Sequence, residues 1–237
     1  MSNSYFEFKR FTIHHERCAM KVGTDGVLLG AWSNISHCRN ILDIGCGSGL
    51  VSIMAAQRSS AKVTGVDIDS LAAEQAAENA KNCDWSDRID IVKEDINVYN
   101  VEEKFDAMLC NPPFFSNSLK CPTQQRTTAR HDDTLLCGDL MKFATENLTD
   151  DGTLSVVIPY DLLQKWCDEA LFKGLSTSRV TAVKTLPHKQ PKRVLVEFSK
   201  KVCNRSVDST LVLEDTPGVY SDAAKAMLKD FYTKIVD

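Results

Sequence analysis

From about residue 40 onward, apolar runs of strand length alternate with stretches in which apolar positions recur at helical spacing. Asn40–Ile44, Lys62–Ile68, Ile89–Lys93, Phe105–Cys110 and Thr153–Ile158 read as strands bounded by Gly, Asp, Asn or Pro. Leu50–Arg58, Ser70–Asn82, Asp133–Asn147 and Tyr160–Lys173 read as helices, with Ser70 as an N-cap and Gly174 as a terminator. Such alternation predicts an α/β fold with a parallel sheet wrapped by helices. Val180–Leu186 and Val194–Phe198 predict a closing antiparallel pair, and a last helix is expected over Ser221–Ile235. No linker or internal repeat divides the chain, so one domain is expected over residues 1–237. Within it, residues 33–237 form the α/β core. Residues 1–32 form an extension in which Phe6, Phe8 and Phe11 alternate, suiting a hairpin or short strands that cover one end of the sheet.

Composition narrows the class without naming a chemistry. At 43% hydrophobic and 25% charged, the 237 residues are those of an ordinary soluble globular chain. A net charge of −4 excludes a global electrostatic footprint for nucleic acid, so any such contact must be local. Local basic groups exist at His14–Arg17 with Lys21, at Arg126 with Arg130 and His131, and from His188 to Arg193. Nine cysteines carry no CxxC pair and no clustered histidines, so small buried apolar roles are expected, and no metal. Apolar runs fall far short of the roughly 20 residues that span a bilayer. The first residues also lack the pattern of a signal peptide. A cytoplasmic monomer with no membrane partner is expected.

Four strand ends carry candidate chemistry. After the first core strand comes Asp43-Ile44-Gly45-Cys46-Gly47-Ser48-Gly49, where Gly45, Gly47 and Gly49 let backbone approach a ligand at a helix N-terminus. The spacing is GxGxG, not the GxGxxG of dinucleotide sites, and Asp43 disfavours a pyrophosphate while suiting a ligand that carries an ammonium group. S-adenosylmethionine is such a ligand. Asp67 ends the second strand, where its carboxylate suits ribose hydroxyls. Asp95 follows the third and suits an adenine amine, with Ile96 or Ile68 packing on the ring. Asn111-Pro112-Pro113-Phe114 follows the fourth strand, which is expected beside the first. Two prolines cannot continue a helix or a central strand, so the Asn111 amide and the Pro112 carbonyl are held facing one way, able to accept from a planar NH2 group. Phe114 adds a stacking face of the kind that stabilises an unstacked base by about 1–3 kcal/mol.

Beyond these sites, the chain resembles the bacterial tRNA1(Val) (adenine(37)-N6)-methyltransferase family, within the Rossmann-like class I S-adenosylmethionine-dependent enzymes. The resemblance rests on Phe8–Ile13, Cys18–Trp32, Asp43–Gly49, Asn111–Phe115, Ala129–His131, Tyr220-Ser221 and Asp230–Tyr232. It implies a seven-stranded, mostly parallel sheet, S-adenosylmethionine as methyl donor and an anticodon-loop adenine as target. Lys21, Thr24 and Asp25 would then hold the methionine end of the donor. Candidate RNA contacts are Phe114, Phe115, Arg130, His131, Lys189, Lys192 and Arg193. Competing readings are a glutamine-N5 methyltransferase acting on protein, an enzyme for a ribosomal RNA base, and a non-catalytic RNA-binding scaffold. The first usually has Tyr where this chain has Phe114, and carries a separate helical domain for which there is no room. A scaffold has no physical need of Asp43, Asp67 and Asn111 together.

Overall fold

The computed structural model describes residues 3–113, 137–203 and 206–235. A hairpin of β1 (Tyr5–Glu7) and β2 (Thr12–His14) leads to helix α1 (Thr24–Trp32). The chain then alternates through β3 (Asn40–Ile44), α2 (Leu50–Arg58), β4 (Lys62–Asp67), α3 (Ser70–Lys81), β5 (Ile89–Lys93) and β6 (Phe105–Cys110). Helical residues 137–147, here α4, precede β7 (Leu148–Pro159), α5 (Leu163–Phe172), β8 (Ser176–Lys184) and β9 (Arg193–Ser199). Strand β10 (Val207–Val212), the small pair β11 (Glu214–Thr216) and β12 (Val219–Tyr220), and helix α6 (Asp222–Leu228) complete the described chain.

The main sheet runs β10-β8-β9-β7-β6-β3-β4-β5. It thus holds eight strands where the resemblance implies seven, because β10 adds to the outer edge of β8. Only β9 is reversed among its neighbours, pairing antiparallel with β7 and β8. From β3 the chain builds outward through β4 and β5, then returns to the other side of β3 as β6. Strand order therefore switches direction between β3 and β6, the place where ligands bind at the carboxyl ends of such sheets. Along β3 the side chains alternate with period two, Ile41 going to one core layer and Leu42 to the other. The first layer is closed by α1, α2, α3 and α6, the second by α4 and α5.

Helix α1 departs from the hairpin or strands expected throughout residues 1–32. Every residue from Gly26 to Trp32 is buried, so there is no polar face to announce a helix. Its glycines serve packing: a Cβ on Gly30 would lie 2.8 Å from the Met54 sulfur and one on Gly26 3.3 Å from Leu50 Cδ2, so α2 can lie directly against this stripe. At the start of α3, the cap is Asp69 and not Ser70. Its carboxylate accepts from the backbone N–H of Leu71 and Ala72. The last helix is shorter than expected: Ser221 caps α6, which ends at Leu228 and is followed by a turn.

Candidate functional site

Glycine turn and proline turn leave adjacent strands. Ile44 and Cys110 are direct partners across β3 and β6, so the two turns stand side by side at one sheet edge. In the first turn Gly45, Gly47 and Gly49 have φ of 69°, 55° and 76°, a conformation in which a Cβ is strained. Backbone N–H groups of Gly45 and Cys46 donate to the Val66 carbonyl at 2.8 and 3.1 Å, tying the turn to β4. Space around Gly45 and Gly47 is open, with nothing within 4 Å of a Cβ at either. Gly49 differs from the role expected of it: a Cβ there would meet Ala76 of α3 at 3.2 Å, so it serves the approach of two helices and lines no ligand space.

Beneath the turn lies Asp43, only 2% exposed, whose Oδ2 accepts from the Ser52 hydroxyl at 2.6 Å. Burial pushes its carboxyl up from 3.8 to about 7, against the pull of the Ser52 hydrogen bonds and with a smaller push from Asp67. A nearby cation would favour the ionised form. Asp67 reaches the turn from β4, Oδ2 accepting from Gly47 N–H at 2.7 Å and Oδ1 from Asp69 N–H at 2.9 Å. Each oxygen retains a lone pair for a ligand hydroxyl.

An open cavity of about 360 Å³ joins the two turns. Of the sequence candidates it is lined by Lys21, Thr24, Asp25, Asp43, Gly45, Gly47, Asn111, Pro112 and Arg193. Helix α1 supplies the facing wall, and Gly26 lies against the Asn111 amide, 3.7 Å from where a Cβ would stand. Arg193, expected among the RNA contacts, instead donates from Nε to Asp25 Oδ2 at 2.8 Å and closes the wall beside α1. Lys189 and Lys192 are exposed on residues 185–192, the connection between β8 and β9 at the same sheet edge.

Two further candidates shift in role. Asp95 lies outside the cavity and caps its own turn, Oδ1 accepting from the backbone and side-chain N–H groups of Asn97. Ile96 is partly buried against the second core layer, whereas Ile68 is 65% exposed and keeps an open face. Phe114, Phe115, Arg130 and His131 lie outside the described residues. Sequence reasoning missed Ser52 and Gly65. The first is a lone hydroxyl in an apolar helix face, a pattern that itself asks for a buried partner. At Gly65 a Cβ would come within 2.9 Å of Ser52 Oγ, so the missing side chain makes room under the turn.

The methyltransferase small domain family matches residues 21–182. A tRNA1(Val) (adenine(37)-N6)-methyltransferase of Phocaeicola vulgatus is 47% identical over 98% of this chain and 99% of its own. The chain belongs to this methyltransferase family. Relatives of the same name from Bacteroides fragilis and Trichodesmium erythraeum are 45% and 41% identical, each alignment covering 99% of this chain and 100% of the relative. Similar solved structures extend the fold. An Agrobacterium tumefaciens protein described as a predicted O-methyltransferase superposes with a TM-score of 0.67 at 19% identity, over 87% of this chain and 96% of that one. For a Pyrococcus furiosus methyltransferase the values are 0.53 and 20%, over 71% and 78%. At such identities they speak for the family's fold alone. Among the described residues, no helix is long and apolar enough to cross a membrane. Nor does any group of three or more His, Cys, Asp or Glu gather as a metal site. Of the eight described cysteines four are buried and four partly buried, and all are free thiols.

Proposed function

We propose that the protein methylates N6 of an adenine in tRNA, adenine 37 of tRNA1(Val), with S-adenosylmethionine as donor. The observation that carries this reading is the pairing of Ile44 with Cys110, which sets the glycine turn and Asn111-Pro112 on one cavity. Its volume is within the usual range of about 300–1,000 Å³ for small-molecule sites. The buried Asp43 carboxyl and the open backbone at Gly45 and Gly47 fit the donor's cationic part, and the Asp67 carboxylate, bonded to Gly47 N–H beside them, would take its ribose hydroxyls. Lys21, Thr24 and Asp25 would hold its methionine end, and Ile68 would cover its adenine. When bound, the donor supplies an electrophilic methyl group on a sulfonium.

The chain's own part is to present the nucleophile. Asn111 Oδ1 and the Pro112 carbonyl accept the two N–H bonds of the amino group, holding its lone pair out of conjugation with the ring. Positioning and exclusion of water supply most of the rate gain, since no covalent intermediate is needed. Phe114 would stack on the flipped base, and Lys189 and Lys192 would meet phosphates on the flanks. Such contacts fix register without reading sequence. The protein, labelled donor and total tRNA should yield N6-methyladenosine in one valine tRNA. Label recovered only in protein would overturn this reading in favour of a glutamine target.

A further inference from the structure

We infer that Asn79 is a positioning residue, one that ties both walls of the cavity together while touching neither ligand. It lies in α3, 2% exposed, and its amide is fully committed to chain segments far apart in sequence. Oδ1 accepts from His14 N–H at 3.0 Å, while Nδ2 donates to the His14 carbonyl at 2.8 Å and to the Ser48 carbonyl at 2.9 Å. Ser48 belongs to the glycine turn and lines the cavity. His14 belongs to β2, and the chain passes at once to His15, whose ring is buried at 5% exposure.

That ring continues the connection. Its Nε2 faces the Asn3 carbonyl at 3.0 Å, and a carbonyl can only accept, so Nε2 carries the proton. Nδ1 is then free to accept from Val22 N–H, at 3.4 Å. Val22 sits in the run Met20–Gly26 that forms the other wall. A path therefore runs from Ser48 by hydrogen bonds through Asn79 to His14, along the chain to His15, and by a further hydrogen bond to Val22. Asn79 stands in the last turn of the alanine-rich α3, and all three of its side-chain bonds leave the helix, so the amide contributes something other than helix stability. Donor binding should therefore depend on Asn79 even though the side chain is absent from the cavity lining.

The inference rests on the cavity being the donor site, and the test separates the two. Asn79→Leu removes all three bonds, and Asn79→Asp keeps only the acceptor. Arg88→Met is a matched control: Arg88 also donates to three carbonyls, those of Ala56, Ser59 and Ala61, away from the cavity. By calorimetry, either Asn79 variant should bind S-adenosylmethionine about tenfold more weakly, the worth of one or two net hydrogen bonds. Turnover at saturating donor should stay within about twofold of wild type, since ground-state and transition-state binding are lost alike. Arg88→Met should lower Tm with unchanged donor affinity. Wild-type affinity in the Asn79 variants, or equal weakening in Arg88→Met, overturns the inference. If the Asn79 variants do not fold, hydrogen exchange on the wild type decides: donor should protect the His14 and Val22 amides together with Gly45, and protection confined to the glycine turn overturns it. Failure of wild type to bind the donor would instead remove the donor reading itself.

Discussion

The two turns that meet at the β3–β6 edge solve opposite problems with opposite residues. Between Gly45 and Gly49 the backbone enters left-handed conformations three times, and at Gly45 and Gly47 the bare peptide lies open to a ligand. At Asn111-Pro112-Pro113 each proline fixes its φ and has no N–H to add to the sheet ladder, so the strand stops there and the turn is stiff. On the proposed reading the first turn is shaped to a donor that comes and goes, and the second is stiff because the geometry of an attacking amine tolerates little error. Charge follows the same division, with a buried carboxyl under the glycines and a neutral amide beside the prolines.

Breaking the stiff side should have the largest effect. Asn111→Ala is expected to lower kcat at least about 100-fold, the cost of misplacing a reacting group by roughly 1 Å, with donor affinity nearly unchanged. Loss of both together, in single-turnover and calorimetric measurements, would erase the distinction between the turns. On the glycine side, Gly47→Ala should act on binding, about tenfold, because a Cβ at φ 55° costs roughly 1–2 kcal/mol. A variant that binds donor normally but turns over slowly would contradict that assignment.

Asp43 sharpens the contrast through pH. Its carboxyl titrates near 7 in the folded chain against 3.8 ordinarily, so the folded state holds a proton that the unfolded state has released. The corresponding stability is complete below about pH 4 and is lost as pH rises through 7. Asp43→Asn, which mimics the protonated form, should remove that slope from thermal unfolding curves between pH 5 and 8. Donor binding, which favours the ionised form, should strengthen over the same window in wild type only. The smallest effect is expected outside the cavity. Replacing Lys189 and Lys192 by Gln should weaken RNA binding at every sequence alike and reduce the salt slope by about 1 for each phosphate no longer neutralised. Unchanged slopes would place the RNA elsewhere.

Strands β3, β5 and β6 and helix α2 were legible from residue to residue, because short apolar runs between Gly, Pro and Asp leave one reading open. Helix α1 was not, since a helix buried all round carries no period and its glycines argue against helix until Met54 is seen against them. Strand β10 was hidden for the opposite reason: four of its six residues are exposed and polar or isolated, and only Leu211 is buried. Within the site, Asp43, Gly45, Gly47 and Asn111 could be read from their positions at strand ends. The Arg193–Asp25 pair joins residues 168 apart in sequence, and no local pattern encodes such a partnership.

Reversal of the single strand β9 gives the sheet something a wholly parallel edge would lack. A parallel neighbour needs a long crossover that starts at this edge and returns to the opposite one, whereas β8 and β9 exchange directly through residues 185–192. Both roots of that connection are therefore planted at the carboxyl edge of the sheet, and one of them, Arg193, lines the cavity. On the proposed reading, a polymer far too large to enter 360 Å³ would be gripped there while one nucleotide is inserted, and the fold would separate holding the substrate from reacting with it.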